Sequence, residues 1–140
     1  MRISILFCIV LLLVACGTPR SSADSARALS GRTWYIVAVR SERVNNEFDT
    51  RSPQLSFIGD AVAGSGGCNA LSGTVTIDGD DLQFGPIAST RMMCEQAPLE
   101  NRILKTLAEV RHYSANGERL LLMGERLTDT LLICSPAVHQ

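Results

Sequence analysis

The residues of this chain with the most chemistry in them are five cysteines and two histidines. Cys68, Cys94 and Cys134 lie in the body of the sequence, with His112 between the last two and His139 near the C-terminus. A nucleophilic thiol needs a neighbouring base and a third group that orients the base. Cys94 or Cys134 with His112 is the only such pairing to consider, and no orienting pattern surrounds it. Structural zinc takes closely spaced cysteine pairs. The chain has no CxxC, and His112 and His139 do not stand at ligand spacing. Asp78, Asp80 and Asp81 crowd around Gly79. Turn chemistry explains them without general acid–base work, and so short an acidic turn lacks the ligand set for calcium. The expectation is therefore no catalytic residue, no metal site and no cofactor.

The other two cysteines belong to the N-terminus. Met1-Arg2 is a minimal positive start, and residues 3–14 are apolar apart from Ser4 and Cys8. That run is short of the about 20 residues that span a bilayer and has the length of a signal-peptide core. It ends in Leu13-Val14-Ala15-Cys16-Gly17, which resembles the bacterial lipobox. The resemblance implies cleavage before Cys16 and acylation of its thiol. Each buried CH₂ of an acyl chain contributes about 0.8 kcal/mol, so several chains together give stable attachment. Residues 1–15 are read as a lipoprotein signal peptide and residues 16–30 as a lipidated flexible tether. The folded domain is placed at residues 31–140. Gly17 is not Asp, so the known inner-membrane retention signal is absent, which favours an outer-membrane lipoprotein facing the periplasm. The membrane is the first expected partner.

The positioning elements centre on Gly64-Ser65-Gly66-Gly67-Cys68-Asn69-Ala70-Leu71-Ser72-Gly73, answered by Gly85-Pro86-Ile87-Ala88-Ser89-Thr90-Arg91-Met92-Met93-Cys94. Gly66-Gly67 permits positive φ or close backbone approach. Asn69 can hydrogen-bond local backbone or close a turn. Gly73 opens the alternating strand Thr74-Val75-Thr76-Ile77. Asp78-Gly79-Asp80 signals a hairpin, with Asp81-Leu82-Gln83-Phe84 returning. Gly85-Pro86 then breaks the pairing before extended structure resumes. Cysteines so placed can lie on adjacent strands.

These segments resemble the META domain, also called HslJ-like. The resemblance covers roughly residues 29–134 and rests on GGCNALSG, the TIDGD turn and FGPIASTRMMC. It implies a small α+β fold rich in antiparallel strand, found in bacterial envelope proteins. It implies a disulfide between Cys68 and Cys94. It gives Gly67, Asn69, Gly73, Gly85 and Pro86 the standing of structural motif residues. No agreed activity comes with it.

The rest of the chain reads in order. Thr33-Trp34-Tyr35-Ile36-Val37-Ala38-Val39 is β-branched and aromatic, a first strand, with Trp34 as a core anchor whose N–H is satisfied. Residues 40–52 read as a surface loop. Leu55 and Phe57 alternate in a second strand, which Gly59-Asp60 turns into Ala61-Val62-Ala63. After Cys94 the period changes. Pro98 suits a helix start, and Leu99, Ile103, Leu107 and Val110 form an apolar stripe. Glu100, Arg102, Lys105 and Glu109 are assigned to the other side of this one amphipathic helix. Asn116-Gly117 marks a hairpin, and residues 130–134 form the last strand, leaving Cys134 as a buried free thiol. The fold class is α+β, a curled antiparallel sheet or incomplete barrel of about eight strands with one packed helix.

Charge is nearly balanced, with 13 basic and 14 acidic residues and no basic cluster, which excludes an electrostatic case for nucleic acid. The expected function is a non-enzymatic envelope lipoprotein, one that binds an envelope protein or serves under stress. Its recognition surface would be an exposed strand edge or a loop such as residues 40–52. The alternative is a binder of a small apolar ligand or lipid inside the incomplete barrel. That alternative requires small residues facing inward, with Ala61, Ala63, Ala88 and Ala108 as candidates.

Overall fold

The structure is a computed structural model that describes residues 27–47, 49 and 51–136. The expected signal peptide, Cys16, most of the tether and His139 lie outside the described residues. Nine strands and one long helix follow in order. They are β1 (Thr33–Val39), β2 (Glu42–Arg43), β3 (Gln54–Ile58), β4 (Ala61–Ser65) and β5 (Ala70–Asp78). Then come β6 (Asp81–Ser89), α1 (Ala97–Ala108), β7 (His112–Ala115), β8 (Leu120–Met123) and β9 (Thr130–Pro136).

Every pairing between strands is antiparallel, from β1–β3 through β8–β9. One edge of β1 pairs with β3 and the short β2, and the other with β9, so the sheet curls round on itself. The ring is not a regular barrel, because β6 and β7 share only the pair Asp81 with His112. Along the rest of β6 the seam is open, and α1 packs there and against β1. Antiparallel order also sorts the connections between two ends of the ring. Where the chain enters at Leu29, the β3–β4, β5–β6 and β7–β8 turns lie at one end. The links β1–β2–β3, β4–β5 and β8–β9 and the exit from β6 lie at the other, and from there α1 leads back to His112 beside the β5–β6 turn.

The interior is filled by fully buried large side chains. Trp34, Ile36, Leu55, Phe57, Leu82 and Leu122 come from the sheet, and Ile103 and Leu107 from the helix. Each contributes about 1.5–3 kcal/mol of burial. Trp34 is the anchor expected of it, and its indole N–H donates to the Leu29 carbonyl at 3.0 Å. That bond corrects the domain boundary. Leu29 is itself fully buried and Ser30 bridges to Phe57, so the folded unit reaches back before residue 31. Ala61, Ala63, Ala88 and Ala108 all face solvent. The inward small residues that the ligand-binding alternative needs are not these four.

Two local expectations are corrected in the central hairpin. β5 begins at Ala70, so Gly73 lies inside the strand rather than opening it. β6 runs through Gly85-Pro86 without a break. Between the pairs Gly73–Ile87 and Val75–Phe84 the register shifts, and Thr74 alone opposes Gly85 and Pro86. This is a β-bulge, where a residue without an N–H is tolerated and a missing Cβ is useful. A Cβ on Gly73 would lie 2.8 Å from the Pro86 carbonyl oxygen, and one on Gly85 would strike Thr74 Oγ1. Gly73→Ala is expected to cost about 1–3 kcal/mol by overpacking. Gly117→Ala, where a Cβ meets nothing within 4 Å, serves as the unaffected control. Thermal unfolding of the two variants checks this, and equal midpoints would remove the role given to Gly73. The remaining correction lies in residues 40–52, which are not wholly loop. β2 folds back on the end of β1 there.

Candidate functional site

The helix begins at Ala97 with Pro98 in its first turn, and Leu99 and Glu100 follow. Glu100 was expected on the solvent side. It is instead 5% exposed and points beneath the β4–β5 and β6–α1 loops. Its position accounts for this, because Glu100, Ile103 and Leu107 stand at i, i+3 and i+7, on one face of a helix. A buried carboxylate must find donors, and this one finds three. Oε2 accepts the Asn69 backbone N–H at 2.7 Å. Oε1 accepts Asn69 Nδ2–H at 3.0 Å and the Ser89 hydroxyl at 2.9 Å. No Lys, Arg or His stands at ion-pair distance among the described residues. Hydrogen bonds therefore hold its two oxygens.

Asn69 is the hub of the arrangement. Its Oδ1 accepts the Met92 backbone N–H at 2.7 Å and the Thr90 hydroxyl at 3.0 Å. Its Nδ2 also reaches Cys68 Sγ at 3.3 Å. One side chain, 4% exposed, thus ties the β4–β5 loop to the chain leaving β6 and to the helix. The sequence suggested local bonds for Asn69. The partners are 23 and 31 residues away in the chain. Gly66 makes room, since a Cβ there would fall 2.5 Å from Glu100 Cγ. Gly67 takes φ 98°, the left-handed region that glycine adopts freely. Cys68 and Cys94 form the disulfide across the same junction, with Cα atoms 6.2 Å apart.

The outer surface of this junction is open and carries two exposed methionines. Met92 is 63% exposed and Met93 fully so. With Ile87, Ser89 and Leu104 they line a groove of about 600 Å³ between β6 and α1. A second cleft, about 330 Å³, lies between the residue 45–53 loop and the start of α1, with Gly67 and Gln96 in its wall. Asp49 shapes that loop. The Ser52 hydroxyl, the backbone N–H groups of Arg51 and Ser52, and the Arg51 charge hold its carboxyl below the usual range against a smaller opposing effect of burial. On the outer face of α1, ion pairs Arg40–Glu109 and Arg102–Glu42 bind the helix to the β1–β2 hairpin.

The five motif residues meet in one neighbourhood but do two jobs. Gly67 and Asn69 form the junction, whereas Gly73, Gly85 and Pro86 build the bulge further along the same hairpin. Glu100, Ser89 and Thr90 were missed. The signal for Glu100 was its place three residues before Ile103 on the apolar stripe. Cys134 lies apart from the junction in β9, fully buried, and burial pushes its thiol up to about 12. His112 pairs instead with Asp81, Nδ1 to Oδ1 at 2.7 Å. The arrangement positions loops.

A curled antiparallel ring with one helix across its open seam, and two loops joined by a disulfide over a buried carboxylate, define a small α+β domain. The META domain family matches residues 27–135, and the chain belongs to that family. Among solved structures, a protein from Burkholderia xenovorans superposes with a TM-score of 0.67 at 16% identity, covering 89% of this chain and 94% of that one. A second, determined by NMR, gives 0.62 at 24% identity, covering 79% and 92%. A DUF4847 family protein from Bacteroides vulgatus gives 0.57 at 14%, covering 79% and 96%. These likenesses show the shared fold. No curated protein matches the chain.

Proposed function

We propose that this META domain protein is a non-enzymatic envelope lipoprotein that binds a protein partner while tethered through Cys16. The observation that carries the reading is the opposition of two ends. The chain enters the ring at Leu29, while the disulfide junction with Met92 and Met93 sits among the connections of the opposite end. A tether leading from Cys16 to Leu29 leaves that end free to meet another molecule. Exposed apolar surface of this kind marks interaction sites. The absence of catalysis is part of the proposal. It is supported by the buried, inert character of Cys134 and by the engagement of Cys68 and Cys94 with each other.

Two measurements on cells test it. Cys16→Ser is expected to move the protein from the membrane to the soluble fraction, and its persistence in membranes would sink the anchor. A photocrosslinker at Met93 in the tethered chain is expected to capture one recurrent envelope protein. A crosslinker at Ile58, exposed at the end where the chain enters, is expected not to. Equal yield at both positions, or none at Met93, would remove the partner-binding reading.

A further inference from the structure

The groove beside Met92 and Met93 has a backbone wall as well as side chains. Thr90 N–H donates to the Ala70 carbonyl at 3.1 Å, so Thr90 turns its backbone groups toward β5. Alternation along a strand then turns those of Ile87 and Ser89 the other way, toward the open seam. β7 does not reach them, since its pairing with β6 stops at Asp81. Among the described residues no strand pairs with the N–H and C=O groups of Ile87 and Ser89 on this side, and they border the groove that Met92, Met93 and Leu104 complete. An unpaired edge is a template for another extended chain. At the spacings of a packed sheet a strand residue occupies about 160 Å³, so a groove of about 600 Å³ takes about four residues.

Charge narrows the choice of chain. Arg91 lines the groove and is exposed. No carboxylate pairs with it among the described residues. The groove's own carboxylate, Glu100, is buried and engaged by three donors. We infer that the β6 edge binds an extended peptide segment of alternating apolar and acidic residues by strand addition. The apolar side chains lie against Met92, Met93 and Leu104, and a carboxylate meets Arg91. This rests on the partner-binding reading above and names the chemistry of the segment recognised.

The test uses the full chain in detergent micelles, labelled with ¹⁵N, and three synthetic heptapeptides. One alternates valine and glutamate, one alternates valine and lysine, and one is the glutamate peptide with alternate backbone nitrogens methylated. The glutamate peptide is expected to shift the amide signals of Ile87, Ser89 and Arg91. The lysine and methylated peptides are each expected to bind at least about tenfold more weakly, as is the glutamate peptide with Arg91→Glu. No shift at these amides by about 1 mM glutamate peptide, the weakest binding counted here, would overturn the inference. So would equal binding of the lysine or methylated peptide, or self-association of the chain through this edge without peptide. The cell experiment separates the two claims. A partner crosslinked at Met93 with no peptide binding leaves the general reading and removes this one. Peptide binding without any cellular partner does the reverse.

Discussion

Glu100→Ala is expected to remove about 3–5 kcal/mol of folding stability, a large share of the 5–15 kcal/mol that holds a domain together. The substitution takes the acceptor from three donors at once, and while the Ser89 hydroxyl can turn to the Thr90 carbonyl at 3.0 Å, the Asn69 backbone N–H and Nδ2–H lose their carboxylate. A buried donor left without an acceptor costs about 1–3 kcal/mol. Asn69 stays buried whatever occupies position 100, because it also holds Met92 and Thr90. Glu100→Gln discriminates between lost packing and lost hydrogen bonding. It preserves the volume and keeps one acceptor, but it sets an NH₂ group against donors that need oxygen. Its expected cost is about 1–3 kcal/mol, a buried donor left unsatisfied. Ser89→Ala, which removes one donor and leaves the others paired, is expected to cost about 1 kcal/mol. Equilibrium urea unfolding of the three variants gives the order. A loss below about 1 kcal/mol for Glu100→Ala would show that the junction does not depend on this carboxylate.

The failure to place Glu100 from sequence is instructive. The strands were legible because their signals are local. Thr33–Val39 is β-branched and aromatic, Leu55 and Phe57 share a face, and Gly59-Asp60 and Asn116-Gly117 announce their turns. The helix was legible for the same reason, and Ile103 and Leu107 are fully buried, as is Val110 just past its end at Ala108. Glu100 shares their stripe but carries a charge, and residue type was weighed above helical position. What buried it is a set of donors from residues 69 and 89, brought up by the β4–β5 loop and the end of β6, whose meeting no local pattern encodes. Asn69 was read only in part, since its carbonyl does close the turn by accepting the Gly66 N–H at 3.0 Å, while its side chain reaches further. An asparagine side chain in a glycine-rich turn has local bonds on offer, and here distant ones win.

The bulge shows a related limit. Gly85-Pro86 is a strong breaker by type, and a break was the natural expectation. A strand can absorb one extra residue if its neighbour gives room, and Gly73 across from it does so. The glycine on one strand and the glycine–proline pair on the other are a single feature, visible only once the register is known. The short β2 was invisible because two residues carry no period. Leu29 was placed in the tether because nothing polar or apolar around it repeats. Its burial depends on Trp34 reaching back for its carbonyl.

Removing the disulfide, as Cys68→Ala with Cys94→Ala, is expected to cost about 3–4 kcal/mol, the chain-entropy value for a loop of this size. The bridge spans a sequence separation of 26 residues, and in that account it acts by restricting the unfolded chain. The folded junction has a second restraint. The bonds from Asn69 to Glu100 and to Met92 join the same two loops without using either sulfur. The cysteine-free variant is therefore expected to keep its native amide spectrum at 25 °C, with the loss confined to the unfolding midpoint. Combining it with Glu100→Ala is expected to bring the total to about 6–9 kcal/mol, enough to unfold many domains of this size. The two losses are coupled as well as summed, because Asn69 Nδ2 lies 3.3 Å from Cys68 Sγ, and contacting groups deviate from additivity by about 0.5–3 kcal/mol. Urea unfolding of the single, double and combined variants measures that coupling. If the cysteine-free variant lost its native spectrum with Glu100 intact, the hydrogen bonds alone would not position the loops. The Met92–Met93 surface would then depend on the redox state of the bridge.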